Sequence, residues 1–457
     1  MLRRTQLFAT ALAASLAAPG AFATNGMFSH GYGTASKGLA GATTALPQTA
    51  LAPATNPAGA VKVGDRMDMG TAFFTPRREY DSKASIGPGL VIPEGTRESG
   101  KNWFAIPSFG YNRMLANDRS IGLSLYGNGG MNTDYPSEIR PIVPFNLIPF
   151  CRGAFCDGRA NINYEQLFIN LTYAQEIGDG VSVGVSPIAA IQRFRAKGLT
   201  VFGLFSHDAW SSGLGILPNP LAVDGIDDNS YDWSFGGGLK VGVLADLSPT
   251  VSLGAAYQTK MYMTKFDEYD DLFAEDGDLD IPATANIGLA FKPNSEHTFT
   301  FDIQRIFYSD VAAIGNPGTS RLLSCGLVNF VRPFDDNNCL LGGSNGAGFG
   351  WDDMTVFKAG WQWEYDARTT ARLGFSYGEQ PIGSSEILFN ILAPATIEKH
   401  ITAGLTRKLG ENNELSLAVT YAMETEVDGP NPFSLNFEDI TLRMHQWDID
   451  IGWSWIW

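Results

Sequence analysis

The chain has 457 residues, only 18% of them charged, with 51 glycines, 29 phenylalanines, a formal net charge of -16 and a mean hydropathy of -0.06. The acidic balance argues against nucleic acid as a partner, which calls for a basic surface. Beyond the N-terminal region no stretch approaches the ~18 consecutive apolar residues of a membrane helix, so the near-neutral hydropathy comes from alternating apolar and polar positions.

Residues 1–23 read as a secretory signal peptide: Arg3 and Arg4 precede an apolar run from Leu7 to Ala18, and Ala21-Phe22-Ala23 is a small-x-small cleavage site. The mature chain is expected to begin at Thr24, in an oxidising compartment. The four cysteines fall as two local pairs, Cys151 with Cys156 and Cys325 with Cys339, which reads as two loop-closing disulfides. Metal binding is the alternative, but neither pair has zinc-site spacing or a histidine close in sequence.

From residue 24 to 60, Gly26, Gly31, Gly33, Gly38, Gly41 and Gly59 punctuate a run rich in alanine and threonine, with no strand-like alternation. Alternation starts at Arg66. It recurs near 66–80, 103–115, 119–131, 160–177, 181–197, 231–246, 250–265, 281–292, 296–309, 354–365, 369–379, 396–408, 413–424 and 442–457. These fourteen segments predict a closed antiparallel transmembrane β-barrel over 66–457, preceded by the segment 24–65, which reads as compact and without regular sheet. In the last segment Trp447, Ile449, Ile451, Trp453, Trp455 and Trp457 share one face, opposite Gln446, Asp448, Asp450 and Ser454. Lipid explains the first set and a polar lumen the second. Connections alternate between short turns such as Ala116-Asn117-Asp118 and long loops such as 198–230 and 310–353. Both termini then lie on the periplasmic side of a bacterial outer membrane, with the long loops and both cysteine pairs outside.

Three stretches carry a resemblance. Thr24-Asn25-Gly26-Met27-Phe28-Ser29-His30-Gly31-Tyr32, the glycine-rich run Gly33 to Ala42, and Asn56-Pro57-Ala58-Gly59 resemble the FadL/TodX family of outer-membrane transporters. The resemblance implies an all-β, fourteen-stranded barrel with an N-terminal hatch and passive uptake of long-chain fatty acids or aromatic hydrocarbons. It also implies a hatch motif at Asn56, Pro57 and Ala58 and a lateral opening at Asn128, Gly129 and Gly130, where glycines permit a bulge. A mobile segment Thr24, Asn25, Gly26, Met27 and Phe28 would lie beneath the ligand. The terminal Trp457 departs from the phenylalanine more usual in such barrels.

The external loop 198–230 supplies an apolar capture surface, with Phe202, Leu204, Phe205 and Trp210 at its centre and Leu199, Val201, Leu214, Ile216 and Leu217 around them. Inward-facing charges at Lys358, Glu364, Arg372, Glu398 and His400 suit a lumen network that holds the plug; the functional alternative is a fatty-acid carboxylate on Lys358 or Arg372. Glu364 and Arg372 flank a short turn and are expected to pair. Arg193, Arg195 and Lys197 continue the outward parity of Val181, Val183 and Val185 and are expected to meet lipopolysaccharide phosphates. The acidic loop from Asp267 to Asp280 lacks the pattern of an EF-hand and reads as solvated surface, so no metal and no cofactor are expected.

An enzyme is the competing class. Gly374-Phe375-Ser376-Tyr377-Gly378 matches a nucleophile elbow, but it lies within an alternating strand, and the five dispersed histidines offer no evident base. An outer-membrane lipid hydrolase and a general porin for polar solutes remain as alternatives to a monomeric, non-enzymatic transporter.

Overall fold

The computed structural model describes residues 25–85, 92–138, 152–155, 157–212, 219, 223–227, 229–331 and 337–457. The expected signal peptide, Thr24, the Cys151 and Cys156 pair, and Leu214, Ile216 and Leu217 lie outside the described residues.

Fourteen strands follow one another round a ring: β1 Arg66–Ser82, β2 Phe104–Ala116, β3 Arg119–Tyr135, β4 Ala160–Gly178, β5 Val181–Lys197, β6 Asp232–Ser248, β7 Val251–Gln258, β8 Thr284–Phe291, β9 His297–Ile306, β10 Met354–Asp366, β11 Thr369–Gly378, β12 Lys399–Lys408, β13 Asn413–Pro430 and β14 Asp439–Ile456. Each pairs antiparallel with the next, and β14 closes on β1 from Arg66↔Ile456 to Ser82↔Ile440. Two short strands, Gly95–Glu98 and Tyr262–Met263, are added on β1 and β6. A closed ring is what a membrane demands of strands, because lipid offers no partner to an open edge.

Side-chain parity follows the predicted alternation. On β14, Trp447, Ile449 and Ile451 are exposed, whereas Gln446, Asp448, Asp450 and Ser454 are buried inside. Strand lengths differ in two places. β7 stops at Gln258, seven residues short of the alternating run, where the register on β6 slips between Lys240↔Gln258 and Gly237↔Tyr262; Met261 still bridges to Ile281 in the register of the β7–β8 ladder. β13 runs on to Pro430 past a bulge between Ala422 and Thr425, which resets its register on β14. Cys325 and Cys339 are joined by a disulfide in the loop between β9 and β10.

The chain from Asn25 to Lys62 packs against inward faces all round the ring. Lys37 Nζ lies 2.6 Å from Asp448 and 3.2 Å from Asp450 on β14. Ala40 N–H donates to Thr402 on β12, Thr44 N–H to Asp302 on β9 and Ala50 N–H to Asp68 on β1, at 3.0, 2.9 and 2.7 Å. Asn56 explains itself locally: its carboxamide oxygen caps Ala58 N–H (3.1 Å), and its nitrogen donates to Thr44 O (2.9 Å) and Val243 O (3.0 Å). Pro57 follows at the first helical position, where a missing N–H costs nothing. The motif presses on the paired glycines Gly184 and Gly242 of β5 and β6, where an added Cβ would lie 2.3 Å from Pro57 and 2.0 Å from Asn56.

Candidate ligand route

At the extracellular end, Ile162 of β4 and Phe194 of β5 face inward and meet loop residues Leu199, Phe202, Phe273, Phe349 and Phe389. Together with Leu272, Ala313, Leu341, Ala347, Gly348 and Leu392 they line a cavity of about 520 Å³, including its open mouth. Every lining side chain is apolar, and the rings pack at close range: Phe202 on Phe389 at 5.1 Å and Phe194 on Phe273 at 4.8 Å between centroids. Such a wall has no group to orient a polar ligand and favours apolar ones of this general size.

The predicted capture set is only partly in this wall. Leu199 and Phe202 line the cavity, because a 3-10 turn over Thr200–Phe205 rotates them inward. The same turn points Leu204 outward, 42% exposed. Phe205 packs instead on Phe433 (5.5 Å), and Trp210 is buried with its indole N–H on Leu204 O (2.9 Å). A continuous apolar loop therefore divides between cavity, packing and surface. Phe194 was legible as an apolar residue at an inward position; Phe349 and Phe389 come from distant loops and carried no local signal.

A second cavity, of about 350 Å³, is polar and lies at mid-barrel between Phe28–Tyr32 and side chains including Lys240, Gln258, Asn286, Gln304 and Lys358. Asn25 to Phe28 do not line the apolar cavity. They form a tight turn in which Asn25 and Phe28 exchange backbone hydrogen bonds (3.0 and 3.3 Å). Tyr308 secures it: its hydroxyl accepts from Met27 N–H (3.0 Å) and donates to Asn25 O (2.5 Å). The Tyr308 ring stands edge-on to Trp351 (5.1 Å), whose indole N–H donates to Asn390 (2.6 Å), and Asn390 donates to Phe349 O (2.8 Å). A chain of contacts thus joins the cavity wall to the N-terminal turn.

The wall parts beside this turn. The β2–β3 ladder ends at Ser108↔Tyr126, although Phe104–Pro107 still pair with β1 and Gly127–Tyr135 with β4. A bulge at Asn128 shifts the β3–β4 register between Gly127 and Gly129. Asn128 is held there by Tyr32 (2.9 Å) and Gln166 (2.8 Å). On the edge that β2 abandons, the N-terminal turn adds itself: Ser29 N–H donates to Asn128 O and Gly130 N–H to Met27 O, both at 3.1 Å. Only glycine permits the approach, since a Cβ on Gly129 would sit 1.9 Å from Met27 O. Asn128, Gly129 and Gly130, named from the sequence for a lateral opening, lie on β3 just past the last pair of the β2–β3 ladder.

Three of the lumen residues, Lys358, Arg372 and His400, touch the N-terminal segment. Lys358 Nζ donates to His30 O (2.9 Å), and Arg372 donates to Gln48 Oε1 (2.9 and 3.2 Å). Glu364 and Arg372 do not pair directly as expected; Gln362 bridges them, accepting from Arg372 at 3.0 Å and donating to Glu364 at 2.9 Å. Glu398 lies just before β12, half-buried. His400 is stacked on His30 (5.4 Å) with its Nδ1 3.0 Å from Ser376 Oγ. That serine–histidine contact was missed from sequence because the partners sit on adjacent strands. Both are fully buried, and among the described residues no acid bonds the other imidazole nitrogen.

The acidic loop is not simply solvated surface. Asp271 and Asp280 are buried, Asp280 pairing with Lys260 (2.9 Å), while Asp267, Glu268, Glu275 and Asp276 stay exposed. Asp271 gathers with Asp224 and Asp270. Burial, and then the charges of Asp208 and Asp270, push its carboxyl up to about 6.

A closed antiparallel barrel with lipid-compatible residues outside, a polar interior and an apolar cavity at its external end is a transport barrel of the outer membrane. Residues 10–431 match the family described as outer membrane protein transport protein (OMPP1/FadL/TodX), and the chain belongs to that family. Its structure resembles that of the Pseudomonas putida toluene transporter TodX, with a TM-score of 0.67 at 17% identity, covering 94% of this chain and 99% of that one. It also resembles the Ralstonia pickettii toluene transporter TbuX (TM-score 0.61, 16% identity) and a Pseudomonas aeruginosa FadL homologue (0.61, 15%), each covering 94% of this chain and 99% of the other. At these identities the likeness shows the fold. No curated protein sequence matches the chain.

Proposed function

We propose that the protein admits neutral hydrophobic compounds, such as monoaromatic hydrocarbons, by passive diffusion, with capture in the apolar cavity and sideways release where β2 and β3 part. The observation that carries this reading is that the edge of β3 at Asn128–Gly130 is bonded by the turn Asn25–Ser29 rather than by β2. The segment 24–65 acts as a hatch, and its first residues are the moving part. The apolar lining and the engagement of Lys358 and Arg372 with the hatch favour an uncharged ligand over a carboxylate.

The energetics suit transit. A seven-carbon aromatic buried at about 0.8 kcal/mol per carbon gains roughly 5 kcal/mol, a sub-millimolar affinity that still allows release. No energy source is needed to run such a ligand down its gradient. The test is deletion of Thr24–Phe28 from the mature protein, followed by toluene uptake in cells and by single-channel conductance. Impaired uptake with a folded barrel is expected. Unchanged uptake, or a large steady conductance in the intact protein, would overturn the hatch and favour an open porin.

A further inference from the structure

We propose that the outer surface of β4 and β5, at their extracellular ends, binds the phosphates of a phosphorylated glycolipid of the outer leaflet. Arg193, Arg195 and Lys197 point away from the lumen, directly after the aliphatic outward positions Val183, Val185 and Ile191. Across the ladder they face Glu165, Asn163 and Asn161. An arginine on a lipid face costs energy at mid-membrane and little near the interface, so these cations belong at head-group level. Trp233, exposed beside them on β6 opposite Arg193, is the kind of residue that marks that level.

The cluster is built rather than scattered. Arg193 is fixed by Glu165 at 2.6 Å and lies 4.7 Å from the Tyr231 ring and 5.5 Å from Trp233. Arg195 lies over the other side of the cluster, 4.5 Å from the same Tyr231 ring. Among the described residues it has no ion-pair partner, and its Nε is buried without a hydrogen bond. Half-buried Lys101 stands close enough for Arg195 and Arg193 to act on it: burial depresses its ammonium first, Glu165 and Asp134 oppose that, and the two arginines add to it. Arg193 and Arg195 thus share the Tyr231 ring beside the Glu165 carboxylate, with Lys101 near enough to feel both, on a chain whose net charge is -16. A guanidinium seated over an aromatic ring can still donate its N–H groups to phosphate oxygens, and a docked phosphate offsets the charge of the two neighbouring arginines.

The experiment uses the full mature protein in nanodiscs and measures retained lipid by native mass spectrometry. Bis-phosphorylated lipopolysaccharide, the same glycolipid after phosphatase treatment, and phosphatidylglycerol are offered in turn. The wild type is expected to prefer the phosphorylated glycolipid over the dephosphorylated one by at least about tenfold, the worth of one charge-assisted contact. Arg195→Ala and Lys101→Ala should each lose most of that preference, while Lys292→Ala in a periplasmic turn keeps it and toluene uptake is unchanged in all three. Equal retention of the phosphorylated and dephosphorylated glycolipids by the wild type overturns the proposal even if a variant fails to fold. Equal retention of phosphatidylglycerol overturns the assignment to glycolipid.

Discussion

Tyr308→Phe isolates the latch on the N-terminal turn. The ring stays, so its edge contact with Trp351 at 5.1 Å is kept, and only the hydroxyl goes. Asn25 O still accepts from Phe28 N–H at 3.3 Å, but Met27 N–H loses its acceptor at 3.0 Å in a fully buried site. A buried donor left unsatisfied costs about 1–3 kcal/mol. If undocking of the turn returns that donor to water, the undocked population rises roughly 5- to 150-fold. Gly130 N–H, bonded to Met27 O at 3.1 Å on the strand edge, is the reporter. Its hydrogen exchange should accelerate by that factor, while amides of the β14–β1 ladder exchange as before and the barrel melts at the same temperature. Exchange at Gly130 as slow as in the wild type would refute the idea that Tyr308 holds the turn on β3.

Other outcomes follow from the site. Phe202→Ala should weaken toluene binding about tenfold by removing part of the cavity wall, whereas Leu204→Ala, on the outer surface, should leave it unchanged in a fluorescence displacement assay. Lys358→Met removes the donor to His30 O, so uptake of oleate and of toluene should fall together; a loss confined to oleate would restore a carboxylate role. The carboxyl of Asp271, pushed up to about 6, is ionised at neutral pH at a cost that the unfolded chain does not bear. Its loop cluster is therefore stabilised as pH falls through 6 and loses that stability as pH rises again. Limited proteolysis should be slower at pH 5 than at pH 7.5, and Asp271→Asn should be slow at both.

What the sequence determined by itself is the barrel. A strand in lipid must satisfy its backbone through neighbours and turn apolar side chains outward, so the period-two alternation of β14 or β10 is legible residue by residue. Side-chain direction at Lys358, His400 and Asp448 followed from the same parity. The Asn56-Pro57-Ala58 stretch stood out by resemblance, yet what seats it, the clearance that Gly184 and Gly242 give Asn56 and Pro57, appears only when two strands stand side by side. The cavity was decided by tertiary structure alone. Loop side chains have no lattice to set their direction, so Phe202 and Leu204, two residues apart, end on opposite sides of a 3-10 turn. Tyr308 meets Met27 across 281 positions of sequence. No local pattern encodes such a contact: it exists because the closed ring brings the root of one loop against the Asn25–Phe28 turn that lies inside it.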